Sequence, residues 1–350
     1  MSEMKDMIVD VVERIFKEKV EKETVDLLES GAWSEDVWQL ILENEIEKVA
    51  VKEEHGGAGG DYEDLLHLYR LVGKYAVPIP FVEHTLANLV IDFANLHPLT
   101  ELSTVHLATK PLELAEGKVF GKLQQVPWAR YAEKLVTLAT EQGKQYLILM
   151  DLKDATIEKQ TNLAAEPRDT LQFTDVKILA SHPLPDEQHE FLTKLQTAAT
   201  VSKMVGAIDR AFELAVQFSK EREQFGRPIH RFQLVQQHLA ILAGEQALSI
   251  AALDNIIALL QEGEVTDEVA FARLKLDDAS RIVATSSHQV HAAIGVTHEH
   301  RLHHYTRRLW AWRDEDFHAK YWKKELAQKM LHSSNTLWEA ITKKKQVEHI

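Results

Sequence analysis

Apolar residues near the start of the chain recur at three- and four-residue spacing. Ile8, Val11, Val12, Ile15 and Phe16 share one helical face, and Trp38, Leu40, Ile41 and Ile46 mark a second amphipathic segment over Asp36–Val49. The run Gly56–Gly60 breaks the pattern, and Asp61 stands where an N-cap belongs, ahead of Leu65, Leu66, Leu68, Leu71 and Val72. Val77-Pro78-Ile79-Pro80 ends that helix, and another begins at Phe81. Near Leu102 the period changes. Short apolar stretches (Val105–Ala108, Val119–Val126, Lys134–Ala139, Tyr146–Met150 and Thr170–Leu179) alternate with turns that contain Gly117, Gly143 and Pro167. From about Asp186 the helical period returns, with Val201, Val205, Ile208, Phe212 and Ala215 on one face. Leu234–Leu260 is apolar on more than one face, which predicts a helix buried between others. The chain is therefore expected to be mostly α with a small middle β domain: N-terminal helices over residues 1–101, β structure over 102–185 and a helical bundle over 186–350.

Composition narrows the function classes. A chain of 350 residues with 45% hydrophobic and 27% charged content is ordinary for a globular protein of more than one packed unit. A formal charge of −14 excludes a broad basic surface for nucleic acid. With no cysteine there are no disulfides, thiolate zinc sites or thiol nucleophiles. The N-terminus is amphipathic and acidic, unlike a signal peptide, and no stretch reads as a membrane span. A cytoplasmic protein without membrane contact is expected.

The stretch Arg222–Gln236, REQFGRPIHRFQLVQ, carries the most chemistry. Gly226 is expected to end a helix in the left-handed conformation, and Pro228 to prevent its continuation. That places Arg222 in the last helical turn. A guanidinium is a fork of donors suited to a pyrophosphate, Phe225 offers a ring surface, and Gln233, Gln236 and Gln237 offer amides. Spacing alone favours a plain helix–loop–helix corner, with Arg222 at the negative end of a helix dipole. Gly56–Gly60 lacks the pattern of a phosphate loop and reads as an ordinary turn. The histidines at 288, 291, 298, 300, 303 and 304 would form a metal site only if three or four converged with partners to orient them. Gly295 and Thr297 interrupt any common helical face, so no metal is expected.

R-x-x-F-G-x-x-I-x-x-F-Q resembles the flavin-contacting turn of the acyl-CoA dehydrogenase family. The resemblance extends along the chain: His55-Gly56-Gly57-Ala58-Gly59, Gly73 and Val77–Pro80 with Glu83 in the first part, Val126-Pro127-Trp128-Ala129 in the second, and Gln289-Val290-His291-Ala292-Ala293-Ile294-Gly295 in the third. It implies N-terminal helices, a β-barrel-like middle domain and a C-terminal four-helix bundle. It further implies FAD as cofactor, with Arg222, Phe225, Gln233, Gln289 and Ala293 serving the cofactor of a neighbouring subunit in a dimer or tetramer of like or unlike chains. The implied reaction is α,β-dehydrogenation of an acyl-CoA thioester. A carboxylate removes the α-proton and a hydride leaves the β-carbon for flavin N5. Electron-transfer flavoprotein is the implied acceptor.

The family places its base at one of two points. Spacing from Arg307 puts the first on Asp316, with Glu315 beside it. The second falls on Gln196, which cannot act as a base. The usual E-G-T and T-E-P-x-x-G-S-D sequences are absent. Two readings follow: a dehydrogenase with Glu315 or Asp316 as base, or a subunit without its own catalytic centre that completes a partner's FAD site.

Overall fold

The structure, a computed structural model, describes residues 3–107, 110–262, 267–315 and 317–332. Five helices open the chain: α1 (Glu3–Lys19), α2 (Lys22–Asp26), α3 (Glu35–Glu43), α4 (Tyr62–Tyr75) and α5 (Phe81–Phe93). Val12 and Phe16 of α1 are wholly buried. Asp61 caps α4 reciprocally: Asp64 N donates to Asp61 Oδ1 and Asp61 N donates to Asp64 Oδ2, both at 3.0 Å, so two otherwise orphaned donors are satisfied.

The strands are β1 (Ser103–His106), β2 (Leu112–Ala115), β3 (Lys118–Pro127), β4 (Lys134–Glu141), β5 (Lys144–Asp151), β6 (Thr156–Glu158) and β7 (Arg168–Pro183). Their order is β1-β4-β2-β3-β7-β5, and β5 pairs back onto β4, so the sheet closes on itself, with β1 and β6 outside the ring. Strand β4 shows why its sequence is a continuous apolar run. Leu135 and Ala139 point into the barrel core with Leu123, Ile148 and Phe173, whereas Val136 and Leu138 face the core of the helices. A strand covered on both faces has no polar side to alternate with. The short strands β2 and β6 carry too few residues to register in the pattern, and of the stretch Val105–Ala108 the last residue lies outside the described residues.

The remaining helices are α6 (Asp186–Glu221), α7 (Gln233–Gln261), α8 (Glu268–His291), α9 (Leu302–Asp314) and α10 (Ala319–His332). Helices α4 and α6 touch backbone to backbone. A Cβ on Gly73 would stand 1.9 Å from the Lys203 carbonyl oxygen, and one on Gly206 would stand 1.9 Å from that of Arg70. Only glycine fits at either position, which fixes where α6 runs.

Helix α7 corrects the sequence expectation. Leu242, Leu253, Ile256 and Leu260 are buried in the bundle, but Leu234, Ile241 and Leu248 are exposed, Leu234 at 74%. These three recur every seventh residue and so form one seam. By length and composition α7 could cross a membrane, contrary to the expectation that no stretch would read as a span, and only 28% of its most apolar stretch is buried within the described residues. Its second apolar face is uncovered within this chain.

Candidate functional site

Sequence-predicted site residues fall into two groups at separate places. The first lies where α6 and α8 end and α7 begins, an arrangement held by Phe218 of α6, which stacks on His291 of α8 with ring centroids 4.6 Å apart. Helix α6 stops before Arg222, whose φ and ψ of −78° and 123° are extended. The next residues form a hairpin, β8 (Glu223–Gln224) paired with β9 (Arg227–Pro228). Its two turn residues, Phe225 and Gly226, have φ of 52° and 75°, the left-handed pair that a tight two-residue hairpin demands. Gly226 therefore serves the hairpin and not the helix end, and Arg222 sits at the base of the hairpin instead of in the last helical turn. The Ile229 N–H closes that base on the Arg222 carbonyl at 2.9 Å.

Phe225 is 92% exposed in a backbone conformation that is costly for a bulky residue. Phe232 meets it edge-on at 6.1 Å and carries the Arg227 guanidinium over its ring at 4.3 Å. Arg222, Gln233, Gln289 and Ala293 are all exposed. Among the described residues, the side chain of Arg222 makes no ion pair or hydrogen bond. The arrangement is a set of unspent donors and an apolar ring at one end of the bundle, which fits the phosphates and the flat aromatic parts of a dinucleotide.

The second group surrounds a small cleft between α5, the barrel and α6. Glu83, Gln125, Arg168, Gln196, Lys203 and Glu315 line it together with apolar residues, and its volume is about 50 Å³. Glu315 is among them, but it is not free. Arg168 donates from Nε to Oε1 at 2.9 Å and from its second terminal nitrogen to Oε2 at 3.0 Å. Asn162 Nδ2 adds a third bond to Oε1 at 2.7 Å. Arg168 also donates to Glu166 at 3.1 Å, and Glu166 takes Trp312 Nε1 at 2.8 Å and Arg308 Nε at 3.1 Å. Lys203 lies 3.7 Å from Glu83 and 5.1 Å from the centroid of the Trp312 ring.

Burial by itself would raise the Glu166 carboxyl, but Arg308, Arg168 and Lys203 outweigh it and hold the pKa at about 2. Burial works against the Arg168 cation, yet Glu315, Glu166 and Glu83 more than compensate and push its pKa up. Three cations and three carboxylates thus neutralise one another in the interior. Gln196 lines the cleft and accepts the Leu107 N–H at 3.3 Å. Asp316 lies outside the described residues.

Arg168, Asn162, Glu166 and Lys203 escaped the reading of the sequence. The signal available was the placement of charge where apolar residues are expected: Glu166 and Arg168 at the start of a strand that continues into the barrel, and Lys203 among Val201, Met204 and Val205 on the packed face of α6. The exposed hairpin end suits the phosphate side of FAD. The cleft, about 50 Å³, has room for a few water molecules.

Residues 2–95 match the family model for the N-terminal domain of acyl-CoA dehydrogenases, and residues 194–314 match that for the C-terminal domain. Acyl-CoA dehydrogenase IpdE2 of Mycobacterium tuberculosis is 29% identical over 290 residues, which cover 79% of this chain and 80% of that protein. The fold matches the ChsE4–ChsE5 complex of M. tuberculosis with a TM-score of 0.84 at 18% identity, covering 96% of this chain and 99% of that one. Butyryl-CoA dehydrogenase of Megasphaera elsdenii superposes with a TM-score of 0.82 at 16% identity, covering 95% and 99%. With both terminal parts matched and the barrel closed between them, the chain belongs to the acyl-CoA dehydrogenase family of oxidoreductases.

Proposed function

We propose that the chain is a subunit of an acyl-CoA dehydrogenase in which FAD lies between subunits and an acyl-CoA thioester loses hydrogen from its α and β carbons. The observation that carries this reading is the exposed hairpin beside the uncovered seam of α7. Among the described residues, Arg222 has no ion pair or side-chain hydrogen bond to spend its donors on, and Phe225 and Gln233 are exposed beside it. Nineteen residues, about 28 Å of helix, separate Arg222 from Lys203 at the cleft. A hairpin so placed suits the cofactor of a subunit docked on α7, with Gln289 and Ala293 at the same end of the bundle. FAD, when bound, supplies the acceptor for the hydride that leaves the β carbon. Electron-transfer flavoprotein is the acceptor that fits this reading.

The α-proton requires a carboxylate within contact distance. Glu315 and Asp316 are the candidates in this chain. The Arg168 pair favours a second reading, in which a different subunit provides the base and this chain completes that subunit's FAD site. Arg168 and Asn162 together fill three of the roughly four acceptor sites of the Glu315 carboxylate, which leaves little of it to face a substrate. The matched ChsE4–ChsE5 complex joins two differently named chains, which supports a mixed assembly.

The deciding experiment is the visible absorption of the purified chain, alone and co-expressed with a candidate partner. Flavin absorbance from the chain alone, with bleaching by an acyl-CoA that Glu315→Gln or Asp316→Asn abolishes, supports the first reading. Flavin that appears only with the partner, and bleaching that survives both substitutions, supports the second. A colourless protein under both conditions overturns the proposal.

A further inference from the structure

The histidines between 288 and 304 carry no chemistry in the reading above, and the structure keeps them close: ring centroids of His291 and His300 are 4.5 Å apart, those of His298 and His303 5.0 Å and those of His303 and His304 4.2 Å. His291 stacks on Phe218, and His288 Nε2 lies 3.1 Å from Thr306 Oγ1. His303 and His304, in the first turn of α9, do something else. They converge with Asp26 at the end of α2, so that one ligand atom from each lies within 4.8 Å of the others. The sequence shows neither this meeting nor its third member, since Asp26 and His304 are 278 residues apart.

The local hydrogen bonds decide which atoms are available. His303 Nδ1 is 2.8 Å from the His300 carbonyl oxygen. A carbonyl only accepts, so Nδ1 carries the proton and Nε2 carries the lone pair. That Nε2 is buried and has no hydrogen-bond partner. A ring oriented by a backbone carbonyl, with its other nitrogen bare, is the usual state of a metal-ligating imidazole. His304 Nε2 is 2.8 Å from Asp26 Oδ1, and its Nδ1, also buried without a partner, can take the ring proton. Two ligands of a tetrahedral ion stand about 3.3 Å apart, so this pair needs to open by only about half an ångström. Lys22 engages only the other oxygen of Asp26, Oδ2, at 2.6 Å, so Oδ1 faces His304. The nearby Arg308 is already engaged with Glu166. The His298 ring, 5.0 Å from that of His303, is exposed and within reach as a fourth ligand.

We propose that Asp26, His303 and His304 bind a divalent transition metal, with zinc the best match to two imidazoles and one carboxylate. The ion would fasten α2 to the start of α9. Glu315 lies eleven residues beyond His304, about 16 Å along the helix, so the site is structural and separate from the cleft.

The test uses the full chain without a histidine tag, stripped with chelator and titrated with zinc chloride by calorimetry, with thermal denaturation alongside. The expected result is one equivalent bound per chain and a raised Tm. His303→Ala and His304→Ala should each weaken binding about tenfold or more, while His189→Ala leaves it unchanged. If either alanine variant fails to fold, His303→Gln and Asp26→Asn replace it. Absence of saturable binding, or binding that survives the His303 and His304 substitutions, overturns the site.

Discussion

Helix α6 joins two regions that treat charge in opposite ways. At its middle, Lys203 belongs to a buried set in which each cation faces a carboxylate, and the cleft retains about 50 Å³. At its end, Arg222 stands exposed beside Phe225, with no partner among the described residues. A buried charge without a partner is prohibitively costly, whereas an exposed one keeps its water until a ligand replaces it. The cleft is thus internally satisfied and the hairpin is not. On the proposed reading, in which the cofactor lies between subunits, the unsatisfied end is where this chain has binding capacity to offer.

The largest expected effect comes from breaking the satisfied end. Arg168→Ala leaves the buried Glu166 and the half-buried Glu315 without their shared cation, and should cost about 3–5 kcal/mol, measured as a lowered denaturation midpoint in urea. Adding Glu315→Gln should recover part of the loss; purely additive effects would contradict the direct pair. Next is the seam on α7. An aspartate at Leu248, 55% exposed, should leave the fold of the chain intact by circular dichroism but shift its sedimentation to a smaller species if a subunit covers that face.

Arg222→Ala should change stability by less than about 0.5 kcal/mol, as exposed substitutions do. It should nevertheless weaken FAD binding to the assembled protein by about tenfold to a hundredfold, the worth of charge-assisted hydrogen bonds to phosphate. Fluorescence titration with FAD measures it. The smallest effect near neutrality concerns Glu166. Its folded-state pKa of about 2 lies below the usual 4.5. The stability it contributes is therefore fully present above pH 4.5 and is lost as pH falls from there toward 2. Urea midpoints should be insensitive to Glu166 between pH 7 and 5 and should drop below pH 4. A flat profile down to pH 3 would mean the ion pairs are weaker than their geometry implies.

The order of helices, strands and helices was legible because periods of 3.6 and 2 are written into single stretches of chain. The N-cap at Asp61 and the turn within Arg222–Gln236 were legible for a related reason: each depends on residues close in sequence. Three things were not. The two-faced apolar pattern of α7 records that both faces avoid water, but not that one is covered by this chain and the other is not. Gly226 has a left-handed backbone in either a helix end or a hairpin turn, so its identity could not choose between them. The pairing of Arg168 with Glu315 spans 147 residues, and that of Asp26 with His304 spans 278. Local sequence determines which side chains exist and which way a helix or strand turns them. Which of them meet is decided when α6 is pinned against α4 by Gly73 and Gly206 and the barrel closes beside it, because only packing brings distant charges within a few ångströms.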